Sequence, residues 1–433
     1  MKPIPPNEPG ATGTLFLPTE EMSRRNGLLY LVSMCIFMFA APVVYVGVVQ
    51  AALADKLGAS AMVANLPAST YLLGAFAPPL LSWLVPHRFV RTTAVVACAV
   101  TTTMISLVCI CLFAPFSDTV RLTAVIGQGL IQGFSAYTFQ VYKYQCLKRG
   151  TTPQGRAWAF KWTFALGPIF AVAGSLWAQY VLGGGIEWLP YPYDFAVLYL
   201  IGAPSMGMAC YLTSRYHLAS VPESPRQPFV SYFSGSFKSF VQNRTLVYLW
   251  LGFFMWFMVF TAMPTLSLYS REVLGGDPKD YSGWVMALRF GFKAAAGYAL
   301  GVITLRYGLR ASLFVCMVLL GTSIIWGWTV PGYFFLIAFG LMGAGELGGA
   351  YFPNYIVGIS SPALSTRNMS ILMMTSCASF FAPSTHGALA DHFGFQASFI
   401  FALAAAVVSL FLIAKLPKVR AQDEATSSTS REG

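Results

Sequence analysis

Apolar stretches of roughly 20–25 residues alternate with short polar connections along most of the chain. A helix needs about 20 mainly apolar residues to cross a bilayer, whereas barrel strands are shorter and alternate in polarity. The pattern therefore predicts an all-α membrane protein with twelve transmembrane helices. The predicted spans cover residues 26–50, 62–85, 92–114, 122–147, 157–182, 194–214, 245–268, 281–305, 311–330, 333–358, 367–389 and 396–416.

The longest connection, 215–244, separates spans six and seven. It predicts two six-helix bundles, at 23–214 and 245–418, joined by a cytoplasmic linker. The polar, Pro-rich and Gly-rich residues 1–22 are expected to form a disordered cytoplasmic tail, and 419–433 a second tail.

Four phenylalanines of the linker fall at helical spacing on one face, with Ser, Lys and Gln elsewhere: Phe229, Phe233, Phe237 and Phe240. This predicts an amphipathic helix on the inner membrane surface. The alternative is a loop that packs on the bundle.

Composition supports the membrane prediction, because 56% of the residues are hydrophobic and 10% are charged. A soluble domain carries about 25% charged residues. The net charge of +11 does not indicate nucleic-acid binding, because the cations lie mostly in short loops between apolar runs. Their distribution places both termini in the cytoplasm by the positive-inside rule. The predicted outer loops hold Lys56, Arg121, Arg271 and Lys279.

The chain has 8 cysteines, none at CxxC spacing, and 4 scattered histidines. Neither a disulfide framework nor a metal site is predicted. The sequence also lacks the GxxxxGK[ST] loop, the HExxH motif and a Ser/His/Asp order. We therefore expect no enzyme activity, no cofactor and no coupling to ATP hydrolysis within this chain.

Three ionisable residues are expected deep in the membrane. Arg289 and Lys293 lie in the middle third of span eight, and Glu346 lies near the midplane of span ten. An arginine or lysine at a helix centre costs about 2.5–3.5 kcal/mol on insertion scales, so such residues need a partner or a function. Because Arg289 and Lys293 are four residues apart, they share one helix face.

A short pattern recurs where paired spans end. The chain reads GVITLRYGLR after span eight, GALADHFGFQ after span eleven, and PLLSWLVPHRFVR after span two. This recurrence predicts two six-span halves, each built from two three-span units.

With these features, residues 23–418 resemble the major facilitator superfamily of secondary transporters. The family's loop signature is a Gly, three residues, Asp-Arg, one residue, Gly and a basic residue. The copy after span eight keeps four of these positions, with Leu305 in place of the aspartate: Gly301, Arg306, Gly308 and Arg310.

The copy after span two keeps only its basic end, at His87, Arg88 and Arg91. The resemblance implies a gating role for these loops, in which the family aspartate helps latch the cytoplasmic gate. In the copy after span eleven, Asp391 is retained, but this copy lies on the predicted outer side.

The resemblance also implies that spans eight and ten border a central cavity. Arginine suits a carboxylate because its planar fork can make two hydrogen bonds. We therefore expect Arg289, with Lys293, to bind an anionic group of the substrate. Glu346 is the expected proton-coupling group, because substrate competing for the cations would free it to take a proton. The alternative is a static bridge from Glu346 to Arg289 or Lys293 that only pins the two spans.

Further candidates for substrate contact lie in spans four and seven: Gln128, Gln132, Tyr137 and Trp256. Buried amides must face protein or a water-filled cavity, so the glutamines line the cavity or bond a neighbouring helix. Trp256 stacks on the substrate or packs in the core. Lys143 and Lys161 are expected to extend towards the cytoplasmic surface from their span ends.

The sequence thus predicts a monomeric, proton-coupled secondary transporter of a small organic anion that works by alternating access in the cell membrane (the inner membrane of a bacterium). Its partners are the solute, protons and the lipid bilayer. Two alternatives stay open: an exporter of lipophilic or cationic drugs with Glu346 as the cation-binding acid, and a transporter-like membrane sensor or scaffold that moves nothing.

Overall fold

The structure, a computed structural model, describes residues 18–218, 237–360 and 362–418. Its N-terminal half contains the helices Glu20–Phe39, Ala41–Val44, Val48–Lys56, Ala61–Ala64, Leu66–Leu73, Ala77–Leu84, Val90–Phe113, Asp118–Gly150, Pro153–Leu182 and Tyr193–Ser214. Its C-terminal half contains the helices Arg244–Phe260, Met263–Leu274, Ser282–Tyr307, Leu309–Thr329, Ile337–Gly345, Gly348–Ile359, Pro362–Ala378, Ala382–Phe393 and Phe395–Ala414.

Eight of the described helical stretches are long and apolar enough to cross a membrane. They correspond to predicted spans three, five to ten and twelve. Spans one, two and eleven are broken into shorter helices, and span four is a 33-residue helix with many polar residues. The helices are consistent with twelve spans in two halves, and the all-α membrane fold is confirmed.

The predicted amphipathic helix lies largely outside the described residues, which resume at 237 with a short helical segment, 237–242. Residues 1–17 of the predicted N-terminal tail and the whole predicted C-terminal tail, 419–433, also lie outside them. The first helix begins at Glu20, inside the predicted tail of 1–22, because the Thr19 side chain accepts a hydrogen bond from the Met22 amide and caps it.

The two halves repeat a local structure. In the N-terminal half, Arg91 Nη1 donates to the Tyr216 carbonyl oxygen at 2.9 Å, so the start of span three is tied to the end of span six. In the C-terminal half, Arg310 Nη1 donates to the Leu416 carbonyl oxygen at 2.8 Å, tying span nine to span twelve. These matching bonds support the internal repeat that the loop pattern predicts.

The molecule has two ends, which we name by the loops they carry. The L1 end holds residues 57–60, 114–117, 183–192, 275–277 and 394, and the L2 end holds 85–89, 151–152 and 308. The glycine at 308 has φ 84°, and the one at 394 has φ 82°. This left-handed conformation favours glycine, which explains why the copies after spans eight and eleven have glycine at this position.

Span one unwinds between Val44 and Val48. The carbonyl groups freed at the break are bonded by two fully buried amides of span four. Gln128 Nε2 donates to the Val43 oxygen at 3.0 Å, and Gln132 Nε2 donates to the Val44 oxygen at 2.7 Å. Backbone groups inside a membrane must find such partners, so these glutamines make the break possible.

At the L1 end, three ion pairs join the halves. Arg271 pairs with Asp55, Lys56 Nζ lies 2.7 Å from an Asp277 carboxylate oxygen, and Lys279 Nζ lies 2.7 Å from an Asp194 carboxylate oxygen. Spans five and eight also touch backbone to backbone here, since a Cβ on Gly283 would lie 2.3 Å from the Gln179 nitrogen. The L1 end is therefore closed.

Candidate functional site

A cavity of about 380 Å³ lies between the halves. Side chains from spans one, two, four, seven, eight, ten and eleven line it. Its lining includes Arg289, Lys293 and Glu346, the three ionisable residues predicted to lie deep in spans eight and ten. The structure thus brings together the groups that the sequence singled out from two separate spans.

Both oxygens of the Glu346 carboxylate are paired. Arg289 Nε donates to Oε2 at 2.8 Å, and Lys293 Nζ lies 2.9 Å from Oε1. The side chains of Arg289 and Glu346 are 8% and 12% exposed, whereas that of Lys293 is 27% exposed. Lys293 is therefore the member of the cluster most open to a solute.

The break in span ten positions Glu346. One helix ends at Gly345 and the next begins at Gly348, so Glu346 lies at the junction. A turn earlier, a Cβ on Gly343 would lie 2.1 Å from the Arg289 carbonyl oxygen. Only glycine allows the two backbones to approach this closely, and this approach brings the carboxylate to the arginine.

Aromatic rings surround the Arg289 guanidinium. Its central carbon lies 5.8, 5.6 and 5.5 Å from the ring centroids of Tyr45, Phe260 and Phe290, respectively. Such cation–π contacts stabilise a charge that has been removed from water. They hold the arginine in one orientation against Glu346.

Trp256 lines the edge of the cavity but is only 3% exposed. Its Nε1 donates to the Gly345 carbonyl oxygen at 3.1 Å, and its ring stacks on Phe260 at 5.0 Å. A Cβ on Gly348 would lie 2.4 Å from Nε1. The indole therefore supports the span-ten break from behind, which agrees with the packing alternative.

The other predicted site residues divide into two groups. Tyr137 lines the cavity, and its hydroxyl lies 3.0 Å from the Ser376 hydroxyl of the opposite half. Gln128 and Gln132 are fully buried and outside the cavity lining, where they bond span one.

The predicted gating-loop residues lie at the L2 end. Arg91 and Arg310 bond within their own halves, as described above, and Arg306 is exposed. Arg88 lies 4.8 Å from the Phe89 ring centroid. Gly301 is helical, with open space where a Cβ would be, and Gly308 ends the span-eight helix.

The sequence prediction missed two polar lining residues, Tyr45 and Tyr71. Tyr45 lies in the span-one break, and the Pro42 and Gly47 that flank it were the available signal of a broken helix. Among the described residues, no group of three or more His, Cys, Asp or Glu side chains could hold a metal ion.

Residues 271–432 match the sequence model of the Major Facilitator Superfamily. Solved structures of that architecture cover nearly the whole chain. The chain has the major facilitator superfamily fold. The resemblance inferred from the sequence is thereby confirmed. A search of the curated proteins found no match.

Three solved structures illustrate the likeness. The nucleoside transporter NupG matches at TM-score 0.62 and 13% identity, over 92% of this chain and 100% of its own. An auto-inhibited POT family peptide transporter matches at TM-score 0.67 and 13% identity, over 92% and 98%. The human organic anion transporter MFSD10 (TETRAN) matches at TM-score 0.62 and 13% identity, over 90% and 99%. At these identities the likeness establishes the fold alone.

Proposed function

We propose that this protein is a secondary transporter that moves a small organic anion by alternating access and couples its transport to protons through Glu346. The observation that carries the proposal is the bridging of Arg289 and Lys293 by one carboxylate in the wall of the cavity. A substrate carboxylate offers the same two cations the same chemistry, so it can take the place of Glu346. The displaced Glu346 then takes up a proton.

The charges of the lining favour an anion over a cation. Arg289 and Lys293 outnumber Glu346, so the cluster carries one excess positive charge. A cationic drug would meet this excess charge, and the single carboxylate is already paired on both oxygens. The likeness to solved nucleoside, peptide and organic anion transporters supports a transporter, and the charges of the lining are what favour an anion.

The closed L1 end supports alternating access. With both termini in the cytoplasm, as the loop charges predict, the L1 end faces outward and the structure represents a state closed to the outside. For the cavity to open towards the outside, the three ion pairs at the L1 end must separate. In this proposal the protein acts as a monomer in the cell membrane.

Replacement of Glu346 by glutamine tests the coupling. Purified protein in liposomes is given a labelled monocarboxylate that stabilises it against heat, with a pH gradient across the membrane. We expect Glu346→Gln to exchange the anion across the membrane but to lose accumulation driven by the gradient. Normal accumulation in this variant would refute the coupling role, and Arg289→Ala should lose anion binding altogether.

A further inference from the structure

The charged groups of the cavity lie on one wall. Arg289, Lys293 and Glu346 all belong to spans eight and ten of the C-terminal half. Within the described lining, the N-terminal half contributes no acidic or basic side chain. A charged group of the substrate therefore has its counter-charge on the C-terminal wall only.

The opposite wall is aromatic and weakly polar. Tyr71 and Tyr137 lie with their ring centroids 5.3 Å apart, and Tyr45 contributes a third ring. Apolar side chains also line the cavity, among them Leu72 and Pro383. This surface fits a hydrophobic or aromatic body, since such rings pack well face to face or edge to face.

No carboxylate oxygen is free for an amino group. Glu346 is the acidic residue of the described lining, and its two oxygens are bonded by Arg289 and Lys293. A substrate ammonium group would have to break one of these pairs or, once Glu346 has been displaced and protonated, lie in the cavity without a counter-charge. Either event is costly, because an unpaired charge in such a site is strongly disfavoured.

The balance of charge at the cluster also indicates how many carboxylates the substrate carries. If a substrate carboxylate replaces that of Glu346 at the two cations, and Glu346 becomes neutral, the number of negative charges at the cluster is unchanged. Because the substrate carboxylate bridges both cations, as Glu346 does, a second carboxylate would find no further cation in the described lining. One carboxylate therefore matches the site.

We propose that the substrate is an amphipathic monocarboxylate without an amino group. Its carboxylate contacts Lys293 and Arg289, and its apolar body packs against the rings of Tyr71 and Tyr137. This inference rests on the proposed anion transport and narrows its substrate class. It excludes amino acids and peptides, which pair a carboxylate with an ammonium group.

Three probes with the same phenyl body test this inference: 3-phenylpropanoate, phenylalanine and 2-phenylethylamine. Their dissociation constants are measured by calorimetry on the full-length protein in detergent. We expect 3-phenylpropanoate to bind and phenylalanine, which adds only an ammonium group to it, to bind at least about 100-fold more weakly. We expect 2-phenylethylamine not to bind. Acetate, which has the carboxylate but no body, should bind more weakly than 3-phenylpropanoate.

Variants locate the binding. Lys293→Gln should lose affinity for 3-phenylpropanoate, and Lys293→Arg should retain much of it. Tyr71→Ala should reduce the difference between 3-phenylpropanoate and acetate. The matched control is Lys161→Gln, because Lys161 is exposed and lies outside the cavity lining, so its variant should bind like the wild type.

The outcomes separate the two proposals. Equal affinity for phenylalanine and 3-phenylpropanoate would overturn the substrate class, while loss of both in Arg289→Ala would still support anion transport. Binding of 2-phenylethylamine alone, abolished by Glu346→Gln, would overturn both proposals and favour a cation exporter. Failure of 3-phenylpropanoate and acetate to bind the wild type would overturn the substrate class. Gradient-driven uptake of another anion would then still preserve the transport proposal.

Discussion

The carboxylate of Asp391 accepts hydrogen bonds from the backbone amides of Ala61 and Met62, at 2.8 and 2.7 Å. A residue of span eleven thus caps the first turn of span two, in the opposite half. The contact is close, because a Cβ on Gly387 would lie 2.4 Å from the Ala61 carbonyl oxygen. The copy of the loop pattern that retains its aspartate therefore holds the L1 end closed.

Removal of this cap should favour opening at the L1 end. An N-cap is worth about 1 kcal/mol, so Asp391→Ala should shift the ratio of closed to open protein by about fivefold. Distances between spin labels at the exposed residues Ser117 and Tyr333 measure that ratio. His392→Ala, at the neighbouring exposed position, is the control, and an unchanged distribution in Asp391→Ala would contradict the role of the cap.

The ion pair between Lys56 and Asp277 should make closure depend on pH. Burial raises the pKa of Asp277, but hydrogen bonds from Lys56 and from the Lys279 amide outweigh it and hold the pKa below its ordinary value. The ion pair therefore contributes fully to closure above the ordinary aspartate pKa of about 3.9. This contribution is lost as the pH falls through the lowered pKa of Asp277.

The same label pair, followed as the pH is lowered from 7 to 3, checks this expectation. The closed fraction should fall in the acidic range in the wild type. In Asp277→Asn it should start lower and change less with pH. A wild-type closed fraction that stays constant over this range would show that the pair does not contribute to closure.

Gly348→Ala should disturb the site without touching any charge. The added Cβ would lie 2.4 Å from Trp256 Nε1, so the indole must move and its bond to the Gly345 oxygen is lost. Overpacking of this kind typically costs about 1–3 kcal/mol. We expect lower thermal stability together with weaker anion binding.

Gly297→Ala is the matched control, because its Cβ would meet open space inside the helix of span eight. It should leave stability unchanged or raise it by up to about 1 kcal/mol, because alanine has a higher helix propensity than glycine. If Gly348→Ala were as stable as Gly297→Ala and bound anions normally, the supporting role of Trp256 would be disproved.

Gln132→Leu should destabilise the fold. It removes the donor to the Val44 oxygen and leaves that carbonyl unsatisfied in the span-one break, at a cost of about 1–3 kcal/mol. Thermal unfolding of the purified protein measures the loss. Gln140→Leu, at an exposed cavity position, should keep the wild-type stability, and an equal loss in both variants would argue against a specific role for the Val44 bond.

Lys143→Met should stabilise the protein. Contrary to the expectation that it reaches the membrane surface, Lys143 is 1% exposed, and its Nζ has no hydrogen-bond partner among the described residues. Its Nζ lies 5.4 and 4.9 Å from the ring centroids of Tyr30 and Phe139, but replacing a buried amine that has no hydrogen bond by an apolar chain of similar length should raise the melting temperature. Lys161→Met, at an exposed position, should change it little, and a lower melting temperature for Lys143→Met would show that the amine is needed.

The sequence predicted the spans and the charged cluster because hydropathy reports depth in the membrane. It placed Arg289, Lys293 and Glu346 at similar depths, and the resemblance, which puts spans eight and ten beside one cavity, predicted that they lie together. It did not determine the roles of Gln128 and Gln132, because the carbonyl groups they bond become available only where span one unwinds. That break depends on contacts between distant helices, which periodicity along one helix does not contain.

The excess positive charge of the cluster determines how the membrane voltage acts on transport. The empty site carries one net positive charge from Arg289, Lys293 and Glu346. With a bound monocarboxylate and a protonated Glu346, the net charge is again one. A charge that crosses the whole field gains or loses about 2.3 kcal/mol per 100 mV, and this term is the same for the loaded and the empty carrier. Transport by the proposed cycle is therefore electroneutral: the voltage can change its speed, but only the gradients of anion and protons set how far the solute accumulates.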